Sequence, residues 1–365
     1  MARIEIDHVR KEFGSFTAVQ SSSFTVEDGE FFMLLGPSGC GKTTTLRMIA
    51  GLELPTSGEI RIGGEEVGQK PASQRDIAFV FQMFALYPHM TVRGNIAYPL
   101  VSQGMRRREV RARVEEVARL LGITPLLDRP VGGLSGGDRQ RIALGRAIVR
   151  EPKCFLMDEP LGALDAEFRE YMAEELRALH DRMGATTIYV THDQLEAMQM
   201  GDKIVVMNHG VIEQKGVPQD IYDWPATTFV AEFIGSPPMN LLPFEGMVSP
   251  GDVHLIHGGG AAEIPQAREG ARGRLALGVR PEHVHLDDAS PFRGKVRAAE
   301  YLGTTQIVTV DTATGPVRLR APSAVPVATG QPVGLRLDPR RLTVFDLGTG
   351  RALRSAGNAE VLGHG

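Results

Sequence analysis

The most specific chemistry in this 365-residue chain is carried by eight residues, Gly36-Pro37-Ser38-Gly39-Cys40-Gly41-Lys42-Thr43. They fit the spacing G-x-x-x-x-G-K-[ST], in which glycines let successive backbone N–H groups curl around phosphate oxygens. A helix beginning at the end of the loop adds its partial positive charge. Lys42 is a cation for β- and γ-phosphates. The Thr43 hydroxyl is a ligand for Mg²⁺, and Thr44 follows on the same first turn. A chance match in a glycine-rich chain is the bland alternative. The apolar run Phe31 to Leu35 before the loop and the helical pattern Thr43 to Ala50 after it supply the strand–loop–helix context that the motif needs.

A second stretch, Cys154-Phe155-Leu156-Met157-Asp158-Glu159-Pro160, delivers two adjacent carboxylates at the end of an apolar run. Burying them is costly unless they serve a cation or a water. Asp158 is suited to Mg²⁺ through its water shell, and Glu159 to orienting or deprotonating an attacking water. Alone, such a run reads as a strand-to-turn junction; paired with the phosphate loop it reads as a hydrolytic site. A third stretch, Leu134-Ser135-Gly136-Gly137-Asp138-Arg139-Gln140, starts a helix that runs to Ile148, with Ser135 as N-cap. It is a second anion-binding helix start, some hundred residues from the first, and one nucleotide does not need two cradles from one subunit.

The elements around these residues alternate short apolar strands with helical patterns over roughly the first 235 residues, which predicts a parallel sheet flanked by helices. Phe155-Leu156-Met157 and Ile188-Tyr189-Val190 read as further buried strands ending in polar motifs. Ligands bind such sheets beyond the carboxyl ends of the strands. Val110, Val114, Val117, Leu120 and Leu121 recur at helical spacing and predict an all-helical insertion between the strands around Phe79 and Phe155. Residues 165 to 183 predict another amphipathic helix, stopped at Gly184. After Gly235-Ser236-Pro237-Pro238 the pattern changes to short alternating segments: Val253 to Ile256, Arg274 to Val279, Lys295 to Ala299, Gln306 to Val310 and Leu342 to Phe345. Those predict a small all-β domain, and residues from about Gly348 onward, lacking any period, a loose tail.

Composition narrows the partners. A formal net charge of −4 gives no support for nucleic-acid binding, and Arg106-Arg107-Arg108 reads as a solvated first helical turn. Two cysteines, Cys40 and Cys154, with no metal-ligand spacing between them, suit a reducing compartment. The charged N-terminus is unlike a signal peptide, and no stretch approaches the ~18–20 apolar residues of a membrane span.

Together the three motifs resemble the ATP-binding subunits of ABC transporters, whose hallmark is the L-S-G-G signature beside a phosphate loop; the resemblance covers nearly the whole chain. It implies an α/β P-loop ATPase domain over 1–235, with a helical subdomain at about 88–152. An all-β regulatory domain of oligonucleotide-binding type would span 236–347, and a tail 348–365. It implies ATP and Mg²⁺ as cofactors, and a head-to-tail pair in which Ser135, Gly136 and Gly137 of one subunit cover the γ-phosphate bound by the other. It also gives roles to residues that are bland on their own. Gln82 resembles the glutamine that touches Mg²⁺ and the attacking water, and His192 the switch histidine at the γ-phosphate. Asp165 resembles the aspartate that links the two sites, and Phe13 the aromatic that stacks on adenine. Asp138 departs from the pattern, which more often has Gln there. That acid suits the helix dipole but brings negative charge towards the partner's phosphate, leaving open an identical or a paralogous partner.

Two further stretches, Gly235 to Leu242 and Gly278 to His283, look like those of carbohydrate importers, including the maltose and sn-glycerol-3-phosphate systems. That resemblance implies two integral-membrane permease subunits, an extracytoplasmic binding protein, and a peripheral place on the cytoplasmic face of the membrane. Met83 to Met90 resembles the segment that receives a coupling helix from the permease. A polyamine or ferric-iron importer shares the domain plan, but Ser236-Pro237-Pro238-Met239-Asn240 weighs against it. A soluble non-transport ABC protein would predict tandem units or coiled-coil insertions.

Overall fold

A computed structural model describes residues 2–81, 85–162, 164–257 and 260–362. The chain divides into two compact units, Met1–Ile212 and Glu213–Gly365.

In the first unit, β1 (Ile4–Phe13) and β2 (Phe16–Val26) form a hairpin, followed by β3 (Phe31–Leu35), α1 (Lys42–Ala50), β4 (Ser57–Ile62), β5 (Glu65–Glu66) and β6 (Ile77–Val80). Three helices follow, α2 (Val92–Ser102), α3 (Arg107–Leu120) and α4 (Gly136–Ile148), then β7 (Cys154–Asp158), α5 (Ala166–Met183), β8 (Thr186–Thr191), α6 (Gln194–Met200) and β9 (Lys203–Asn208). The strands β9-β3-β8-β7-β6 lie side by side and parallel. β3 and β8 are buried at every position, as expected of central strands covered on both faces. The helices α2, α3 and α4 are an insertion between the adjacent strands β6 and β7.

An antiparallel sheet ordered β2-β1-β4-β5, which the parallel-sheet expectation did not include, covers the other side of α1. Ile4, Ile6 and Val9 of β1 and Ile60 and Ile62 of β4 share one core with Leu46, Met48 and Ile49 of α1. Leu34, Leu156 and Val190 of the parallel sheet complete it. The helix after the phosphate loop is therefore packed on two sides. At about 1.5–3 kcal/mol per buried large aliphatic side chain, that burial fixes its N-terminus in place.

The second unit is mainly β. One antiparallel sheet orders Asn240–Val248, Ala271–Val279, Thr343–Asp346 and Arg351–Ala352; a five-stranded sheet contains Val284–Leu286, Pro332–Leu337, Arg293–Tyr301, Thr305–Thr312 and Gly315–Pro322. Two expectations change here. The break between units falls after Ile212, not at Gly235, because the short helices Pro218–Asp223 and Thr228–Phe233 are tied to the β unit. Arg280, 1% exposed, donates from Nε and Nη2 to the Tyr222 carbonyl (3.0 and 2.7 Å) and from Nη1 to the carbonyls of Ala231 (3.3 Å) and Ile234. Its guanidinium also lies 4.2 Å from the centre of the Tyr222 ring. The described part of the expected loose tail, as far as Leu362, is also built. Leu353 donates its backbone N–H to Val344, and fully buried Asn358 accepts from the Ser355 N–H at 2.7 Å and donates to the Leu353 carbonyl at 3.1 Å. Turn and side-chain hydrogen bonding has no period, so the periodicity test could not see it.

Candidate functional site

Register brings the motifs to one edge. Leu35 pairs with Thr191, and Asp158 with Val190, in parallel strands. The phosphate loop after β3, Glu159 after β7 and His192 after β8 therefore leave the sheet at the same carboxyl-terminal edge.

The loop is built from close approaches that only glycine allows. A Cβ on Gly36 would stand 2.3 Å from the Met207 carbonyl oxygen, and one on Gly41 2.7 Å from that of Ala18, with Gly41 at φ +104°. Gly39 is also left-handed, at +79°, while Pro37 and Ser38 carry the chain between. Lys42 is 4% exposed and donates from Nζ to the carbonyls of Gly36 (2.7 Å) and Pro37 (2.8 Å), which holds its charge inside the curl. Cys40 is buried against it, and burial pushes its thiol pKa up, so it packs as a neutral side chain. α1 opens at Lys42 with no side-chain cap and no acid in its first turn, which contains Thr43 and Thr44. Its first N–H groups have no intrahelical acceptor, the arrangement that suits phosphate oxygens.

Thr43 Oγ1 donates to Asp158 Oδ1 at 2.9 Å. Burial is the main cause that raises the Asp158 pKa, opposed by that hydrogen bond. Two hard oxygen donors at this spacing, one of them a carboxylate disfavoured by desolvation, fit a small divalent cation such as Mg²⁺. Among the described residues no group of three or more His, Cys, Asp and Glu side chains forms a protein-only metal cage.

Glu159 donates its backbone N–H to the Val190 carbonyl at 3.0 Å and takes φ +43°, an unfavourable conformation for a side chain of its size. Its Oε2 lies 3.2 Å from His192 Nδ1, with the glutamate largely covered and the imidazole half exposed. A carboxylate held this way can receive a proton from water, and the histidine can orient it.

The signature turn is built differently. Ser135 caps α4, accepting from the Asp138 N–H at 3.1 Å, and its hydroxyl donates to Asp138 Oδ2 at 2.7 Å. This is a reciprocal capping arrangement on an exposed turn. Gly137 is buried, and a Cβ on Gly136 would sit 3.4 Å from Leu164 Cδ2. Asp165 is exposed just before α5 and accepts the Arg169 N–H at its carbonyl. Phe13 is 46% exposed at the tip of the β1–β2 hairpin, paired across it with the more exposed Phe16; Lys11 Nζ lies 4.7 Å from the Phe13 ring centre. Gln82 lies outside the described residues, as do Met83 and Phe84 of the expected docking segment. The described part of that segment is held by the helical insertion. Arg146 of α4 donates to the Ala85 carbonyl at 2.6 Å, and Asn95 of α2 accepts from the Tyr87 N–H at 2.8 Å.

Sequence reading missed the layer behind His192. Glu196, 5% exposed, accepts at Oε2 from Tyr189 Oη (2.9 Å) and Thr191 Oγ1 (2.8 Å). Asp193 caps α6 by accepting the Leu195 N–H at 2.8 Å. Asp193-Gln194-Leu195-Glu196 has the spacing of a capping box, the one signal that could have drawn attention to it.

Comparison with known proteins gives a consistent result. The ABC transporter family matches residues 19–162, and the TOBE domain matches residues 277–345. The trehalose import ATP-binding protein of Mycobacterium tuberculosis is 47% identical over 97% of this chain and 98% of its own length. The sn-glycerol-3-phosphate import ATP-binding protein of Ruegeria pomeroyi is 49% identical over 84% of this chain and 86% of its own. Among solved structures, a dimeric ATP-binding cassette in a post-hydrolysis state, bound to ADP and Pi, aligns with TM-score 0.53 at 30% identity. It covers 59% of this chain and 98% of that one.

Proposed function

Because the chain belongs to the ATP-binding subunits of ABC transporters, we propose that it powers import of a sugar, polyol or glycerol derivative by hydrolysing Mg²⁺-ATP at a site shared between two copies or between it and a paralogue. The observation that carries this reading is the gathering of phosphate loop, Glu159 and His192 at one sheet edge, while the Ser135 turn makes its hydrogen bonds within itself.

Phe13 stacks on adenine, and Gly36 to Thr44 bind the phosphates, with Lys42 at the β- and γ-groups. Thr43 and Asp158, joined by Gln82, hold Mg²⁺, which when bound offsets phosphate charge. Glu159 takes the proton of the attacking water and His192 contacts the γ-phosphate. Ser135, Gly136 and Gly137 of the partner close the site from the other side, and Asp165 links one site to the next. Closure reaches two permease subunits through the segment after Gln82. The link of Arg146 to Ala85 supports that route, since α4 begins at the Ser135 turn and ends beside the docking segment. On this reading the chain sits peripherally on the cytoplasmic face through those permeases, and the cargo arrives from an extracytoplasmic binding protein; no described helix is long and apolar enough to cross a membrane.

The test is Glu159→Gln in the assembled transporter. Hydrolysis falls about 10²–10⁴-fold, as expected for a lost general base, while ATP affinity holds and ATP now traps a stable dimer visible by light scattering. Wild-type turnover in this variant overturns the catalytic assignment. Uptake of labelled trehalose and glycerol 3-phosphate in cells with and without the chain tests the cargo class.

A further inference from the structure

Between Asp165 and His192, Arg169 on the first turns of α5 bridges two loops that approach the site from different strands. Its Nη2 donates to the Leu164 carbonyl at 3.0 Å, immediately before Asp165. Its Nη1 donates to Asp193 Oδ2 at 3.2 Å, immediately after His192. Its Nε is buried with no hydrogen-bond acceptor in range, and Glu196 Oε1 is 3.9 Å away. Glu196 is itself fixed by Tyr189 and Thr191, and the Asp193 N–H donates to Thr191 Oγ1 at 2.9 Å. Both neighbours of His192 are thus anchored, and one guanidinium joins them to the Asp165 loop. A planar fork can hold two acceptors in fixed relative positions, which an ammonium cannot.

We propose that Arg169 is a positioning residue that couples the Asp165 loop to the His192 turn, so that contact of a partner subunit with Asp165 sets the distance between His192 and Glu159. The unsatisfied Nε facing Glu196 gives the link a second, tighter arrangement within about an ångström, closing the gap from 3.9 Å to hydrogen-bond range. Burial raises the Glu196 pKa, and the approach of the guanidinium favours its ionised form. The link lies behind His192 and makes its contacts to Leu164, Asp193 and Glu196, so its effect falls on turnover and not on ATP affinity.

This inference rests on the assignment of His192 to the γ-phosphate, and the experiment separates the two. In the assembled transporter, Arg169→Gln lowers kcat about tenfold, the size expected when a reacting group is misplaced by a fraction of an ångström, with the KM for ATP within about twofold. Arg169→Lys, which keeps the charge but loses the two-point fork, also lowers kcat, about threefold or more. Asp193→Asn, which keeps the cap on α6 but drops the ion pair, moves kcat in the same direction. In a His192→Ala background, Arg169→Gln costs less than a further twofold, because the two act in series. Multiplying losses in the double variant, or wild-type kcat in both the Gln and Lys variants, overturn the coupling. A His192→Ala variant with normal turnover overturns the underlying assignment instead. If Arg169→Gln unfolds the chain, Arg169→Lys carries the same double-variant test.

Discussion

Two helix starts in the same unit, α1 and α4, open on glycine-containing turns and differ in what their first N–H groups do. At α1 the residue before the helix is Gly41, no side chain caps it, no acid stands in its first turn, and Lys42 is buried in the curl. At α4 the cap is Ser135, its hydroxyl is engaged by Asp138 in both directions, and the turn faces solvent. The first is a cradle left open towards an anion. The second satisfies itself within one chain, and in the proposed shared site it would trade that internal bond for a partner's phosphate. The lesson is that a glycine before a helix does not alone define an anion site: the state of the cap decides whether one chain can use it.

Four substitutions break or sharpen that contrast. Lys42→Ala should act on one chain alone, lowering ATP affinity about 100-fold by removing a charge-assisted contact, as read by titration with a fluorescent ATP analogue. Unchanged affinity would remove α1 from the comparison. Ser135→Arg should leave the affinity of the isolated chain within about twofold and still lower hydrolysis in the assembled transporter, by about 10²-fold, the cost of losing a preorganised donor. Equal loss in both assays would make the α4 turn part of its own chain's site.

Asp158→Asn separates stability from catalysis. Burial raises the Asp158 pKa, so the folded chain binds its proton more tightly than the unfolded chain. This contribution favours the fold at low pH and is lost as pH rises from the unfolded value, near 4, through the folded one. The Asn variant should lose hydrolysis, melt higher than the parent at neutral pH and show a flatter melting profile on the acid side. The smallest effect is expected from Asp138→Gln. Removing a partly screened negative charge that the proposed shared site brings towards the partner's phosphate should raise turnover about two- to threefold, while a fall would mean that the Ser135–Asp138 bond itself orients the hydroxyl.

Much of the site was legible because its motifs depend on local backbone chemistry. The strand over Phe31–Leu35, the Ser135 cap and the end of α4 at Ile148 stand where turn residues and periodicity put them. The antiparallel sheet was not read, since β1 alternates only partway: Ile4, Ile6 and Val9 are buried, and register shifts interrupt its pairing with β2. Bulges break the period-two signal that identifies a strand. Arg169 was invisible for a different reason, and Glu196 was marked only by the spacing of a capping box. A charged residue on an amphipathic helix reads as solvated, and only the folding of α5 against α6 turns it into a bridge between loops. The unit boundary was misplaced because Arg280, which draws residues 222 to 234 to the β unit, lies well beyond the linker in sequence.

The backbone of Glu159 carries one more consequence. At φ +43° it occupies a conformation that glycine or asparagine would adopt at lower energy. Any selection for thermal robustness alone, whether by directed evolution or by substitution towards common residues, therefore has a reason to replace this carboxylate. On the proposed role of Glu159, the replacement would raise the melting temperature and leave an inert subunit able to assemble and bind nucleotide. Screens for a hardier transporter should score uptake alongside melting, or position 159 will be optimised away.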